Sequence, residues 1–309
     1  MKKLISIVTP TYNEEKNIEE LSRQIAFQMK NINYDYEHII IDNASTDKTQ
    51  NVIRKICSEN KFVKAIFNTR NFGHIRSPFY GILQARGDGV ILLASDFQDP
   101  PELISSLIEK WNSGADIVLL KRNKVSVNIF VELLKKLFYR TIKLLSEIPL
   151  TEGTTGSGII DKKIVEQLRK IDEPYPYFRG LIQEFTNKIS TIEFDQPKRV
   201  HGSSKNNFFT LFDIGMLGVI KHSKIPLRIM TFSGFFSSLL LLIVGIFFFL
   251  YKLLYWDSFQ LGLAPLILGV FFGISIQIMM LGIIGEYVGF ILTQVRNMPL
   301  VIEKERINF

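Results

Sequence analysis

From Phe232 to Tyr251 the chain runs for 20 residues without a charge, rich in Phe, Leu and Ile. As a helix, that run reaches about 30 Å, the thickness of a bilayer core. A second uncharged run lies between Asp257 and Glu286. A chain of 309 residues cannot easily bury two such lengths, which argues against a helical hairpin inside a soluble core. The sequence therefore divides near residue 229 into a mixed-composition part and a part predicted to cross a membrane twice. Lys221, Lys224 and Arg228 precede the first run, and Arg296, Lys304 and Arg306 follow the second. The loop between them carries only Lys252 and Asp257, so the positive-inside bias predicts an inner-membrane protein with both termini cytoplasmic.

The mixed-composition part alternates strand and helix. Leu4 to Thr9, Glu37 to Ile41, Val63 to Phe67, Gly89 to Leu93 and Asp116 to Leu120 are short runs rich in Ile, Val and Leu. Helical stretches near Glu14 to Lys30, Thr46 to Ser58, Ile75 to Arg86 and Pro101 to Asn112 separate them. This alternation predicts an α/β fold with a mostly parallel sheet covered on both faces. The opening MKKLISIVTP has too short an apolar run for a signal peptide and reads as the first strand. The single cysteine, Cys57, excludes a disulfide framework and a cysteine zinc site, and reads as a buried, inert thiol.

Net charge is +7 and the pI about 9.3, which calls for an anionic partner. The positive charge gathers beside the apolar runs, which argues for lipid over nucleic acid. Val127 to Ile148 is apolar at helical spacing, with Lys135, Lys136, Arg140 and Lys143 interspersed. It reads as an interfacial helix or as an ordinary helix packed on the sheet. Phe208 to Ile220 is a similar segment leading to the first run.

Chemistry-bearing residues gather where strands end. Ala94 to Glu102 (ASDFQDPPE) brings Asp96, Gln98 and Asp99 to the end of a strand. Open α/β sheets bind ligands at that edge. Such oxygen donors suit Mg²⁺ or Mn²⁺ bridging a diphosphate, although a polar turn capping the next helix uses the same residues. TPTYNEE (Thr9 to Glu15) and IDNASTDKT (Ile41 to Thr49) end two other strands. Tyr12 offers a ring for stacking, and Glu14 and Asp42 offer acceptors to a base or ribose. Asp42 serves equally as a turn residue, and Ser45-Thr46-Asp47 read mainly as a helix cap. Asn68 to Gly73 (NTRNFG) adds a glycine loop able to approach a ligand backbone.

TPTYNEE, IDNASTD, NFG and SDFQDPPE, in that order and followed by two apolar spans, resemble the family-two glycosyltransferases. The similarity is greatest to the polyprenyl-phosphate group, which includes dolichyl-phosphate mannose synthase and bactoprenol glucosyltransferases. It covers nearly the whole chain. The resemblance implies a GT-A transferase domain over residues 1–228, a two-helix membrane hairpin over 229–292 and a cytoplasmic tail over 293–309. It further implies a nucleotide diphosphate sugar donor, a divalent cation and a polyprenyl phosphate acceptor, with inverting transfer of a single sugar and room for a homo-oligomer. By the same carry-over, Pro10, Tyr12, Glu14, Asp42, Asn71 and Gly73 hold the nucleotide, and Asp96 and Gln98 hold the metal. Asp96 and Arg179 are the catalytic candidates; Arg122, Arg199 and Lys205 are phosphate candidates, each of which reads equally as a solvated charge.

Two departures stand out. Relatives read Asp-x-Asp where this chain reads Ala94-Ser95-Asp96, and carry an acid, often treated as the acceptor-side base, near Gly156-Ser157. The Thr151 to Asp161 stretch reads as room for sugar or acceptor, or as a glycine-bearing strand before a helix at Asp161. A processive synthase is a rival reading. Its usual Gln-x-x-Arg-Trp stretch is missing, since neither Trp111 nor Trp256 follows an arginine. A non-catalytic membrane adaptor is the other rival, prompted by the two lost acids.

Overall fold

The computed structural model describes residues 2–123, 153–197, 220, 224–255 and 263–309. The expected amphipathic segments at 127–148 and 208–219, and the cations Arg199, Lys205 and Lys221, lie outside the described residues.

The apolar β-branched runs form strands β1 (Leu4–Thr11), β2 (Asp35–Asp42), β3 (Val63–Asn68) and β4 (Gly89–Leu92). These pair in parallel, with β1 flanked by β2 and β4 and with β3 beyond β2. Helices α1 (Ile18–Lys30), α2 (Thr49–Glu59), α3 (Gly73–Gln84) and α4 (Leu103–Asn112) alternate with them. Then follow β5 (Ile117–Arg122), β6 (Thr154–Asp161), α5 (Lys162–Leu168), the short α6 (Phe178–Leu181) and β7 (Ile189–Phe194). Two long helices, α7 (Ile225–Leu254) and α8 (Leu263–Val295), precede a last strand, β8 (Glu303–Ile307). All eight strands share one sheet in the order β7-β5-β6-β4-β1-β2-β3-β8. Only β6 and β8 run antiparallel to their neighbours.

Helices cover both faces, as the alternation predicts. On one face Ile5, Ile7, Ile40 and Phe67 pack against Leu21 and Ile25 of α1, Ile53 of α2 and Leu107 of α4. On the other, Val8, Ile39, Ile41 and Ile66 meet Phe79 and Ile82 of α3 and Val165 and Leu168 of α5. The amino-terminal end of the sheet is sealed by a buried ion pair. Glu37 accepts from Lys64 at 2.6 Å, from Ser6 at 2.5 Å and from the Arg86 N–H at 2.8 Å. Burial works against ionising Glu37, yet these donors together hold its pKa below the ordinary range.

Helix starts differ from expectation by a few residues, for a local reason. Asn13 (φ 58°), Ala44 (φ 60°) and Phe97 (φ 59°) take the left-handed conformation just after β1, β2 and β4. Each turns the chain before the next helix begins. Pro100 and Pro101 stay outside α4 and offer their carbonyls to Leu103 N and Ile104 N, both at 3.1 Å.

The glycine-bearing stretch is a strand. Gly158 on β6 has φ +151°, and a Cβ there would lie 2.0 Å from the Val118 carbonyl oxygen on β5. Only glycine lets β6 enter between β4 and β5 at that point. Asp161 then caps α5, its Oδ1 accepting from Lys163 N at 2.9 Å.

Helices α7 and α8, of 30 and 33 residues, are long and apolar enough to cross a membrane. Their apolar side chains face outward along most of their length. After α8 the chain returns to the sheet. Ile302 O accepts from Thr69 N at 2.9 Å, and Asn308 Nδ2 donates to Cys57 O and Val63 O, each at 2.8 Å.

Candidate active site

The chain leaves β1 toward β2 on one side and later returns to β4 on the other. That reversal opens a crevice outside the carboxyl ends of β1 and β4, the usual ligand position in such sheets. The three left-handed residues stand in the loops around it. Non-glycine residues held there carry a cost of roughly 1–3 kcal/mol each and gather at functional sites.

The first two loops are bolted together. Ser45 Oγ accepts from Asn13 N at 2.8 Å, and Asn13 Oδ1 accepts from Thr46 N at 2.8 Å. Thr49 Oγ1 accepts from Glu14 N at 2.9 Å, and Lys48 N donates to Glu15 Oε2 at 3.0 Å. Ser45 and Thr46 thus lock one strand-end loop to another, where sequence suggested a cap. Asp47 joins both, its Oδ1 accepting from Thr49 N at 3.0 Å and its Oδ2 from Glu15 N at 3.4 Å. Glu14 Oε2 accepts from Asn17 Nδ2 at 2.5 Å.

Asp42 is fully buried (0% exposed) at the end of β2. Its Oδ2 accepts from Ser45 N at 3.1 Å and Gln50 Nε2 at 2.8 Å. Burial pushes its pKa above the ordinary value, partly offset by those donors. Pro10 and Tyr12 are half-buried on and just past β1.

The glycine loop is set by a residue with no sequence signal. Asn43 Nδ2 donates to Asn71 Oδ1 at 2.8 Å and Gly73 O at 3.2 Å. Asn43 Oδ1 accepts from Phe72 N at 2.9 Å and from Asn68 Nδ2 at 3.1 Å. Asn71 Oδ1 also takes the Gly73 N–H at 2.8 Å, so its carbonyl serves the loop. Gly73 has φ +87° and nothing near its absent Cβ, leaving room for a close approach.

At the end of β4, Asp96 Oδ1 accepts from Gln98 N at 3.1 Å. Asp96 and Asp99 are both buried, at 9% and 3% exposure. Ser157 Oγ on β6 donates to Asp99 Oδ2 at 2.5 Å, while Asp99 Oδ1 is buried with no hydrogen-bond partner among the described residues. Burial pushes the Asp99 pKa up; the Ser157 bond opposes this, neighbouring Asp96 adds to it and Arg122 offsets it. Ser157, in the stretch where the resemblance led one to expect an acid, therefore sits directly against another carboxylate. The sequence counts Asp99 among the oxygen donors of the motif, while the family resemblance names only Asp96 and Gln98 as metal ligands.

These donors suit a hard divalent cation. Mg²⁺ or Mn²⁺ typically takes one or two carboxylates plus substrate phosphates, and a bare buried oxygen beside a second carboxylate leaves charge for such an ion to neutralise. Among the described residues no group of three or more His, Cys, Asp or Glu side chains comes together as a metal site. The protein's share would be Asp96, Gln98 and Asp99, with a diphosphate supplying further oxygens.

Arg122 is exposed at the end of β5 and electrostatically linked to Asp99. Arg179 lies on α6, beside Phe178, whose ring meets Phe79 of α3 at 6.1 Å.

Residues 6–169 match the model of glycosyl transferase family 2. An uncharacterized glycosyltransferase of Synechocystis sp. is 32% identical over 299 residues, covering 96% of this chain and 94% of the relative. A prophage-derived bactoprenol glucosyl transferase of Shigella flexneri is 30% identical over 304 residues, covering 97% of each. Among solved structures, S. aureus TarS 1-349 in complex with UDP-GlcNAc aligns at 19% identity with a TM-score of 0.45. It covers 72% of this chain and 68% of that one. The family match spans the strands that build the crevice, and the relatives run the length of the chain: this protein is a glycosyltransferase belonging to glycosyl transferase family 2.

Proposed function

We propose that the protein transfers one sugar from a UDP-linked donor to undecaprenyl phosphate at the cytoplasmic face of a membrane, with inversion at the anomeric carbon. The observation that carries this reading is the crevice at the reversal point, with buried Asp96 and Asp99, in a chain that also holds two outward-facing apolar helices. The bactoprenol glucosyl transferase relatives, which match over nearly their full length, support the acceptor class.

In this reading Tyr12 stacks on the base and Glu14 accepts hydrogen bonds from base or ribose, while the fully buried Asp42 holds the Ser45 turn beside them. Pro10, Asn71 and Gly73 line the same pocket. Arg122, Arg179, Arg199 and Lys205 hold phosphates. Asp96 and Gln98, with Asp99 beside them, hold Mg²⁺ or Mn²⁺; the cation, when bound, neutralises charge on the leaving diphosphate.

An acceptor oxygen of the lipid phosphate attacks the anomeric carbon as the bond to the diphosphate breaks. One displacement inverts that centre. A phosphate monoester has a second pKa of about 6, so the acceptor is already largely anionic at neutral pH. No side chain need remove a proton, which agrees with serine rather than an acid at position 157. The protein's work is placement and charge stabilisation.

The test is transfer from labelled UDP-sugar to undecaprenyl phosphate in membranes carrying Asp96→Ala. Loss of one such charge-stabilising group is expected to cost about 100-fold or more in rate. Full transfer by the variant would disprove this site.

A further inference from the structure

Arg76 lies in the first turns of α3, three residues beyond Gly73. Its Nε is buried and finds no hydrogen-bond partner among the described residues, and the guanidinium carbon lies 5.3 Å from the centre of the Tyr175 ring. No described carboxylate forms an ion pair with it. A guanidinium half-withdrawn from water without an anion is costly, and structures keep such groups where a ligand supplies the missing charge.

The surroundings say which ligand. Tyr175 is held in place by Glu173, whose Oε1 accepts from Tyr175 N at 3.1 Å and from Gln294 Nε2 at 3.0 Å. Gln294 stands at the end of α8. The Phe79–Phe178 contact fixes α3 against the segment bearing Arg179. Arg76 therefore sits where three elements converge: the glycine loop, the aromatic segment 175–178 and the sheet end of the second apolar helix. Glu173 spends its Oε1 on the backbone of its own loop and on α8. A guanidinium placed over a ring still presents its outer N–H groups as a fork, the geometry that grips two phosphoryl oxygens.

We propose that Arg76 is a substrate-binding residue that takes phosphoryl oxygens at the junction of the glycine loop and the apolar hairpin. The shared chemistry is an oxyanion on phosphorus, from the lipid phosphate or from the donor's diphosphate. The proposal rests on the glycosyl-transfer reading above.

Arg76→Gln and Arg76→Lys are compared with the unaltered full chain in detergent micelles. UDP with Mn²⁺ is titrated by calorimetry, and KM for undecaprenyl phosphate is measured with the UDP-sugar that the unaltered chain transfers. Loss of a charge-assisted fork is expected to weaken one of these about tenfold or more in Arg76→Gln, with Arg76→Lys between. A raised KM for undecaprenyl phosphate with UDP binding intact assigns the residue to the lipid. A raised UDP dissociation constant assigns it to the donor. Both values within twofold of the unaltered chain would overturn the proposal. If the unaltered chain neither binds UDP nor transfers sugar, the glycosyl-transfer reading itself fails.

Discussion

Asp99 shows how one side chain can take on weight when its neighbours change. Ala94 offers no carboxylate, and the stretch around Gly156-Ser157 carries no acid, yet the Ser157 hydroxyl reaches Asp99 at 2.5 Å. The buried charge is therefore concentrated on Asp96 and Asp99. Asp99→Asn keeps the shape and removes the charge. Loss of a supporting partner costs metal sites about 10–100-fold in affinity, so Mn²⁺ binding in the presence of UDP is expected to weaken by that order. Calorimetry reads it directly, and unchanged Mn²⁺ affinity would remove Asp99 from the site. The motif was plain in the sequence, but the pairing was not. Asp99 and Ser157 are 58 positions apart, and only the antiparallel entry of β6 brings them together. Arg76 was equally silent, because a cation on a helix is usually solvated and nothing local marks one that is withdrawn from water.

Among the elements, β1 to β4 were legible because each carries a run of buried Ile and Val. β8 was not, since Glu303-Lys304-Glu305-Arg306-Ile307 has the charge of a solvated tail. It forms because it lies on an edge, where Glu305 reaches Arg54 at 2.6 Å and the β3 backbone gains a partner. β6 depends on a single glycine. Gly158→Ala drives a methyl into the Val118 carbonyl and is expected to lower stability by about 4 kcal/mol or more. Chemical denaturation of the detergent-solubilised protein measures this; a loss under 1 kcal/mol, roughly the size of a surface change, would contradict the register.

β2 carries a second stability device. His38 is fully buried, with Nε2 3.0 Å from Thr9 Oγ1 and Nδ1 3.4 Å from Ser22 Oγ. Burial lowers its pKa from 6.5 to about 3. Above pH 6.5 the ring is neutral folded or unfolded, and the residue is neutral to the balance. As pH falls below that value the unfolded chain binds a proton the folded one refuses. Stability is then lost at up to about 1.4 kcal/mol per pH unit. Melting curves between pH 7 and 5 should show this fall, and His38→Gln should flatten it. An equal slope in the variant would show that other groups set the acid sensitivity.

For the whole molecule, the first and last strands lie in the same sheet, β1 near its middle and β8 at its edge. The strand that follows α8 therefore shares a sheet with the strand that opens the fold. Helices of 30 and 33 residues are about 45 and 50 Å long, against a hydrocarbon core of about 30 Å. The far end of α8 reaches the loop between α5 and α6, where Gln294 meets Glu173. The two long apolar helices were readable from hydropathy; the way the chain comes back was not, because a hydrogen bond between residues 121 positions apart leaves no local pattern.

The most direct measurement incubates membranes containing the unaltered chain with undecaprenyl phosphate and a panel of labelled UDP-sugars. At least one sugar is expected to enter the lipid fraction as a single residue linked through phosphate, in a Mg²⁺- or Mn²⁺-dependent way. Label that stays wholly water-soluble across the panel, or that enters the lipid as an extended polymer, would contradict the account.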